Sequence, residues 1–104
     1  MRRVATYMLV KEGKEEAYRE AHRHVWPEIL EGARKAGIRN YTIFMMGRQL
    51  FSYFEVDDLE QATKMLANDP ISQKWQAMMA PLMEVGSGIR DGSTVYLEEV
   101  FHFD

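Results

Sequence analysis

Residues 41–56 read YTIFMMGRQLFSYFEV, and the fold can be worked out from this stretch outward. Two runs rich in aromatic and apolar side chains, 41–46 and 50–56, are typical of β-strands. Gly47-Arg48-Gln49 between them is short enough for a β-hairpin, in which two neighbouring strands run antiparallel. The middle of the chain therefore predicts an antiparallel strand pair.

A helical pattern precedes this hairpin. Over residues 15–35 apolar side chains recur every three to four positions, which is the spacing of one helix face. Pro27 lies inside the stretch, and it predicts a kink or a restart because its ring clashes with the preceding turn and carries no N–H. Gly37 is typical of a helix end, where glycine readily adopts the left-handed conformation.

A second helical pattern follows the hairpin. Asp57-Asp58 can cap a helix over residues 59–66, since a carboxylate accepts hydrogen bonds from the first free N–H groups of a helix. After an interruption around Pro70, apolar side chains at helical spacing predict a further helix over residues 71–83. Pro81 indicates fraying near its end.

The two ends of the chain read as strands, over residues 4–10 and 95–103, and residues 86–93 form a polar, glycine-rich loop. The predicted order is therefore β-α-β-β-α-β. That order is typical of the ferredoxin-like α+β sandwich, in which two helices cover one face of an antiparallel sheet.

The patterning of the strands makes a further prediction. In residues 4–10 and 41–46 both alternating rows carry apolar side chains, whereas a sheet with one wet face alternates apolar and polar residues. Helices cover only one face, so something else must cover the other. The simplest candidate is a second copy of the chain, packed sheet against sheet; a ligand pocket sharing that face is the alternative.

Length and composition limit the functional classes. A chain of 104 residues is expected to form a single domain over 1–104. The net charge is −3 and no basic run occurs, so no nucleic-acid partner is expected. The absence of cysteine excludes disulfides, thiolate nucleophiles and cysteine-based zinc sites. No apolar segment is long enough for a signal core or a membrane span, and a cytoplasmic location is expected.

His22 is the first candidate for chemistry. It falls in the row Tyr18-His22-Trp26-Leu30, whose members are one helical turn apart, and the aromatic and apolar neighbours predict that it faces inward. Imidazole titrates near neutrality and can both donate and accept a proton. The alternative is a partly buried histidine whose role is to hydrogen-bond a backbone carbonyl.

Four aromatic residues are candidates for the same site: Tyr18, Trp26, Tyr41 and Trp75. Apolar C–H faces of sugars stack on aromatic rings, and phenol hydroxyls can hydrogen-bond to sugar hydroxyls. Ordinary core filling is the alternative for each of them. A metal site from His22, His24 and His102 is not expected, because positions two apart on a helix do not face each other.

The segment 17–28, AYREAHRHVWPE, resembles the signature of the L-rhamnose mutarotase family, in which a tyrosine, a histidine four residues on and a Trp-Pro-Glu follow in this register. Supporting matches run along nearly the whole chain. They are Gly37 with Asn40-Tyr41, Gln73-Lys74-Trp75 and the ending Leu97-Glu98-Glu99-Val100-Phe101.

The resemblance implies a dimeric ferredoxin-like α/β barrel that interconverts the two anomers of a deoxy-hexose. Such an enzyme is an isomerase that needs no cofactor and no metal, and its partners are a monosaccharide and a second copy of itself. Carried over by position, His22 is the proton-transferring residue. Tyr18, Tyr41 and Trp75 bind the sugar, and Gln76 replaces a tryptophan that the family usually has beside the one matching Trp75.

Two departures leave alternatives open. Gln76 and the loop 86–92 differ from the family pattern where substrate contacts are expected, so L-fucose or another deoxy-hexose is an alternative to L-rhamnose. Two further classes of protein share the expected fold. One is a dimeric α/β-barrel monooxygenase, either cofactor-free or haem-binding, and the other is a non-catalytic ligand-binding module.

Overall fold

The computed structural model describes residues 1–86 and 94–104, which form one antiparallel sheet and four α-helices. The strands are β1 Arg2–Val10, β2 Ile38–Met46, β3 Gln49–Val56, β4 Met83–Val85 and β5 Val95–Leu97. The helices are α1 Glu15–Arg23, α2 Pro27–Lys35, α3 Leu59–Ala67 and α4 Pro70–Met79, and a 3₁₀ helix, Ala80–Leu82, follows α4. The α+β class and the antiparallel hairpin are confirmed.

The sheet has the strand order β2-β3-β1-β4, and β5 pairs with the same edge of β1 as β4. Strand β4 meets β1 at Leu9 and Val10, and β5 meets it between Ala5 and Tyr7. Every pairing is antiparallel. Strand β2 is therefore one outer edge of the sheet, and β4 and β5 together form the other.

The first helical stretch restarts at its proline, as the sequence predicts. Helix α1 ends at Arg23, and Trp26 has extended backbone angles, φ −62° and ψ 135°. The residue before a proline is pushed out of the helical region, and Pro27 then starts α2 at the first helical position, where no N–H is needed. Gly37 follows the end of α2 with φ +84°.

The second helical stretch is shorter than predicted at its end. Asp58 caps α3 by accepting a hydrogen bond from the backbone N–H of Gln61 at 3.1 Å, as expected. The prediction of one helix over 71–83 is wrong, because α4 ends at Met79 and Met83 begins β4. Pro81 removes a backbone donor, and a 3₁₀ turn connects the helix to the strand.

The last strand is also shorter than predicted. Only Val95–Leu97 pairs with β1, and residues 98–104 have no regular structure, so the prediction of a strand over 95–103 is wrong. β-Branched and aromatic residues favour a strand, but a strand forms only where it finds a partner edge. Of the predicted loop 86–93, residues 87–93 lie outside the described part of the chain.

The helices cover the inner face of the sheet, where every second residue of β1 and β3 is buried. Along β1 these residues are Val4, Thr6, Met8 and Val10. Two groups of buried side chains result, one around Phe54 and Leu66 and the other around Leu50 and Trp75. None of the helices in the described residues is long and apolar enough to cross a membrane.

The outer face of the sheet carries an apolar row across four strands at one level. The register aligns Val95 with Tyr7, Tyr7 with Phe51 and Phe51 with Phe44. The Tyr7 and Phe51 rings lie 5.7 Å apart, and Phe44 at the edge is 65% exposed. The two-sided apolar patterning of the strands thus leaves an apolar outer surface that the described part of this chain does not cover.

A β-bulge in β2 determines where Tyr41 points. Asn40 and Tyr41 lie together opposite one residue, Phe54, because the register shifts between Arg39 and Thr42. Asn40 has φ +55°, the left-handed conformation that asparagine tolerates better than most residues, and its amide donates to Glu55 at 2.7 Å. The bulge lets Tyr41 stack on Phe54, with the rings 5.2 Å apart and 7° from parallel.

Two substitutions at this bulge should differ in stability. Asn40→Val should unfold at a lower urea concentration than Asn40→Gly, because a side chain with a branched Cβ is strained at positive φ. The free energy of unfolding should be lower by about 1 kcal/mol. Both variants lose the hydrogen bond to Glu55, so that contribution cancels in the comparison. Thr42, the next strand residue, is the control: Thr42→Val should be at least as stable as Thr42→Gly. The same ranking at both positions would contradict the left-handed assignment.

Candidate active site

A cavity of about 290 Å³ lies on the inner side of the molecule between α1, α2, α4 and the edge strand β2. Its volume is at the lower end of the range of small-molecule sites, roughly 300–1,000 Å³. Three of the residues singled out in the sequence line it: His22, Tyr41 and Trp75. The remaining walls are apolar, from Val25, Ile29, Leu30, Ala33 and Ile43.

His22 sits in the last turn of α1 with a defined ring orientation. Its Nδ1 lies 3.1 Å from the carbonyl oxygen of Tyr18, one turn earlier. A carbonyl can only accept, so Nδ1–H is the donor, and Nε2 is the proton acceptor of the neutral ring. The imidazole also stacks on the Tyr18 ring, with centroids 4.2 Å apart, and meets Trp75 edge-on at 5.6 Å.

The structure brings together features of both interpretations of His22. The hydrogen bond to a backbone carbonyl is what a purely structural histidine would make. The half-buried ring nevertheless lines the cavity, as do the aromatic residues Tyr41 and Trp75. A histidine with one nitrogen held by a carbonyl has the arrangement of many general bases, in which the hydrogen bond at one nitrogen fixes the tautomer at the other.

Tyr18 lies behind His22 rather than in the cavity wall. The residue is buried, and burial raises the pKa of its phenol well above the ordinary value, with a smaller contribution from the neighbouring Tyr41. The hydroxyl therefore keeps its proton at neutral pH and can act as a hydrogen-bond donor, while it is a poor base. Tyr18 contacts His22 in two ways: the two rings stack, and the Tyr18 carbonyl accepts the hydrogen bond from His22 Nδ1.

Trp75 joins the cavity to the core. It is a buried residue of α4, and its ring meets Trp26 edge-on at 5.2 Å. Trp26 occupies the break between α1 and α2, so the two indoles connect the restart at Pro27 to the fourth helix. The edge-to-face geometry is a favourable one for aromatic pairs and fixes the Trp75 ring against the cavity.

Gln76 is not among the residues that line the cavity. It is half-buried and follows Trp75 on α4, and consecutive helical residues point in directions about 100° apart. A direct contact with a ligand in this cavity stays a prediction from the family pattern.

Sequence reasoning missed the apolar part of the cavity wall. Ile29 and Ala33 belong to the regular apolar row of the first helical stretch, and such a row is also what an ordinary core-facing helix shows. Leu30 belongs to the neighbouring row, but it is exposed. Nothing in the spacing separates a residue that fills the core from one that lines a cavity, since both need an apolar side chain on the inner face.

The other two histidines lie elsewhere. His24, the residue after α1, is exposed and pairs with Glu20 at 3.2 Å, and His102 contacts Asp104 at 2.6 Å in the C-terminal residues. Among residues 1–86 and 94–104, no three histidine or carboxylate side chains are grouped so that they could hold a metal ion.

The fold and the cavity define a small antiparallel α+β protein with an oriented imidazole in an aromatic-lined cleft. The sequence profile of the L-rhamnose mutarotase family matches residues 3–103. Proteins named L-rhamnose mutarotase from Oceanobacillus iheyensis and Bacillus subtilis are 40% and 38% identical to this chain, each over 100% of both chains. A crystal structure of the L-rhamnose mutarotase FA22100 from Formosa agariphila superposes with a TM-score of 0.83, at 31% identity and with 100% of both chains covered.

The chain therefore belongs to the L-rhamnose mutarotase family. This membership confirms the resemblance carried by residues 17–28. It favours an isomerase of carbohydrates over a monooxygenase or a non-catalytic ligand-binding module.

The tautomer of His22 can be tested directly. In a protein with His24→Gln and His102→Gln, the remaining imidazole should show the Nδ1–H tautomer in long-range ¹H–¹⁵N spectra at a pH where the ring is neutral, because the Tyr18 carbonyl can only accept. The doubly substituted protein should melt near the parent's temperature, since both replaced side chains are exposed. A neutral ring carrying its proton on Nε2 would contradict the hydrogen bond to Tyr18.

Proposed function

We propose that this chain interconverts the α and β anomers of L-rhamnose, as an isomerase that uses acid–base chemistry and no cofactor. The observation that carries the proposal is the position of His22, which lines a sugar-sized cavity with its ring fixed by a backbone carbonyl and two aromatic residues. Family membership supports the choice of reaction, because relatives covering the full chain are named for it.

Mutarotation needs only proton transfers. The cyclic hemiacetal opens when the anomeric hydroxyl loses a proton and the ring oxygen gains one, and this breaks the bond between the anomeric carbon and the ring oxygen. Rotation about the bond to the free aldehyde exposes its other face, and the same hydroxyl closes the ring there with the proton transfers reversed. Each positioned acid or base contributes about 10²–10⁴-fold to such a step.

His22 supplies one of these groups. Its Nε2 accepts the proton of the anomeric hydroxyl, and the resulting imidazolium is stabilised by the Nδ1–H hydrogen bond to the Tyr18 carbonyl. The same nitrogen returns the proton when the ring closes. Because Tyr18 also stacks on the ring, it acts as a positioning residue that holds Nε2 toward the cavity.

The other proposed residues bind the sugar. Trp75 offers the edge of an indole. Tyr41 also lines the cavity and offers a phenol, whose hydroxyl can donate to the ring oxygen or to another sugar hydroxyl. The apolar wall from Ile29 and Leu30 fits the methyl group by which a 6-deoxy sugar differs from an ordinary hexose. Gln76 adjusts selectivity from beside Trp75.

The proposed architecture is a single ferredoxin-like domain over 1–104 that forms a homodimeric α/β barrel. The support is the apolar row Val95, Tyr7, Phe51 and Phe44, which crosses the whole outer face of the sheet. Two such faces packed together would remove that row from water. A permanent interface of this kind buries over about 1,000 Å² in total.

Replacing His22 tests the reaction. His22→Asn should keep the fold and still bind L-rhamnose, while the anomer exchange rate measured by saturation-transfer NMR should fall by about 10²-fold or more. His24→Asn is the matched control, because His24 directly follows the same helix but is exposed and paired with Glu20. It should exchange anomers at the parent's rate.

Melting temperature and exchange rate must be measured on the same samples. A purely structural histidine would give the opposite pattern, with lower stability and a near-normal rate per folded molecule. A folded, sugar-binding His22→Asn protein with normal exchange would remove His22 from the mechanism. A parent protein that exchanges no sugar anomers would overturn the proposed reaction itself.

The dimer is tested by sedimentation. The parent should sediment as a dimer at micromolar concentration, and Phe44→Lys should shift it toward the monomer, because burying an unpaired charge in an apolar interface is costly. Met65→Lys is the control: Met65 is also an exposed apolar side chain, but it lies on α3, away from the sheet's outer face. A monomeric parent would contradict the proposed architecture.

A further inference from the structure

The C-terminal segment, residues 98–104, exposes three large apolar side chains. Val100 is 85% exposed, Phe101 77% and Phe103 84%. Burying a large apolar side chain stabilises a protein, so three such side chains exposed within seven residues indicate an interaction surface.

The segment begins at a fixed point but stays away from its own sheet. Arg3 Nε donates to Glu99 Oε1 at 2.8 Å, which holds the start of the segment beside β1. Beyond that point a cavity of about 750 Å³ opens, lined by Ala5 and Tyr53 of the sheet and by Phe101 and His102 of the segment. Phe101 faces this cavity, and the apolar side chains of the segment stay largely exposed instead of packing closely on the sheet.

The proposed dimer, on which this inference rests, determines what lies next to the segment. Strands β2 and β5 are on opposite edges of the sheet. When two such sheets stack about a two-fold axis parallel to the strands, each β2 edge comes to lie beside the partner's β5 edge. That arrangement also closes two open sheets into one barrel.

The register gives the level along the strands. Leu97 aligns with Ala5, Ala5 with Tyr53 and Tyr53 with Thr42. A two-fold rotation leaves positions along its own axis unchanged, so Leu97 of one protomer is level with Thr42 of the other. The segment continues from Leu97 toward the level of Arg3, which corresponds to Arg39 on β2. On the way it passes the level of the bulge that holds Tyr41, opposite Phe54.

Tyr41 and Leu30 of α2 both line the sugar cavity, and both are partly exposed, at 36% and 47%. We infer that the C-terminal segment of each protomer crosses to its partner and closes the partner's sugar cavity, with Phe101 and Phe103 against Tyr41 and Leu30. This single contact would bury both the apolar side chains of the C-terminal segment and the exposed apolar residues at the cavity. Each protomer then holds a site that is complete only in the dimer.

The surface area that Phe101 and Phe103 can bury is large enough to contribute to a stable dimer interface. A phenylalanine can bury about 150–250 Å², so the two largely exposed rings of one segment offer on the order of 300 Å². Two segments per dimer offer on the order of 600 Å², a substantial part of a standard interface of about 1,600 Å². Closing the cavity also excludes water from the imidazole, which strengthens the polar interactions inside it.

Loss of the aromatic side chains is the first test. The double variant Phe101→Ala/Phe103→Ala should exchange L-rhamnose anomers about tenfold more slowly than the parent, or slower, because the open cavity holds the sugar less precisely. Met65→Ala, at an exposed apolar position on α3, should keep the parent's rate. A double variant with the parent's rate would overturn the inference.

Mixing two impaired proteins tests whether the segment acts in trans. His22→Asn has an intact segment and no base, and the double alanine variant has an intact base and an altered segment. After the protomers are reassorted, half of the dimers are mixed, and each has one site with both an intact His22 and an intact partner segment. About one quarter of the parent's rate per protomer should return. A folded, dimeric mixture without recovery would show that the segment acts within its own chain, and would overturn the inference.

Cross-linking gives a readout that does not depend on activity. The chain has no cysteine, so Leu30→Cys and Phe103→Cys each introduce a single thiol. A short bismaleimide should link the two proteins in a reassorted mixture, beyond the level in either preparation alone, and the absence of such a link would overturn the inference. If the parent is inactive, the proposed reaction fails while the cross-link still reports the position of the segment. If the parent is a monomer, both the dimer and this inference fail.

Discussion

The break that Pro27 imposes at Trp26 is the constraint on which the cavity depends. The residue before a proline is pushed into extended conformation, so the first helical stretch cannot run on through Trp26. Helix α1 therefore ends at Arg23, directly after His22, and α2 starts anew at Pro27. The imidazole then lies at the end of one helix, while the apolar walls come from the next. An unbroken helix would present one straight face to the sheet and would pack closely along it.

A second consequence of the break concerns Trp26 itself. The ring reaches Trp75 on α4, and Trp75 in turn meets His22. The imidazole is therefore held by stacking on one side, by an indole edge on another and by a carbonyl at Nδ1. A group that is fixed before a substrate arrives needs no rearrangement during a reaction, and the proposed proton transfer at His22 depends on this property.

The two faces of the sheet differ in how they are covered. Its inner face is filled by helices, and a bulge at Asn40 turns Tyr41 onto that face beside Phe54. Its outer face keeps an apolar row from Val95 to Phe44, and the C-terminal residues keep Phe101 and Phe103 in water. The described part of a single chain thus covers only the inner face of its own sheet. The dimer is proposed because the apolar outer face stays exposed.

The sequence by itself determined the order of the elements as far as α4, the restart at Pro27, the cap at Asp58 and the family. These features rest on local rules: proline geometry, capping, and the spacing of apolar side chains. The tertiary structure decided what depends on distant partners. Met83 joins a strand rather than a helix because β1 offers it an edge, and the last strand stops at Leu97 although residues that favour strands continue. The tertiary structure also decided which of the predicted site residues line the cavity. His22, Tyr41 and Trp75 line it, whereas Tyr18 lies behind His22 and Gln76 is not part of the lining. Periodicity places a side chain on a face of its own helix or strand, but only the packing of elements far apart in the chain decides whether that face fills a core or borders a cavity.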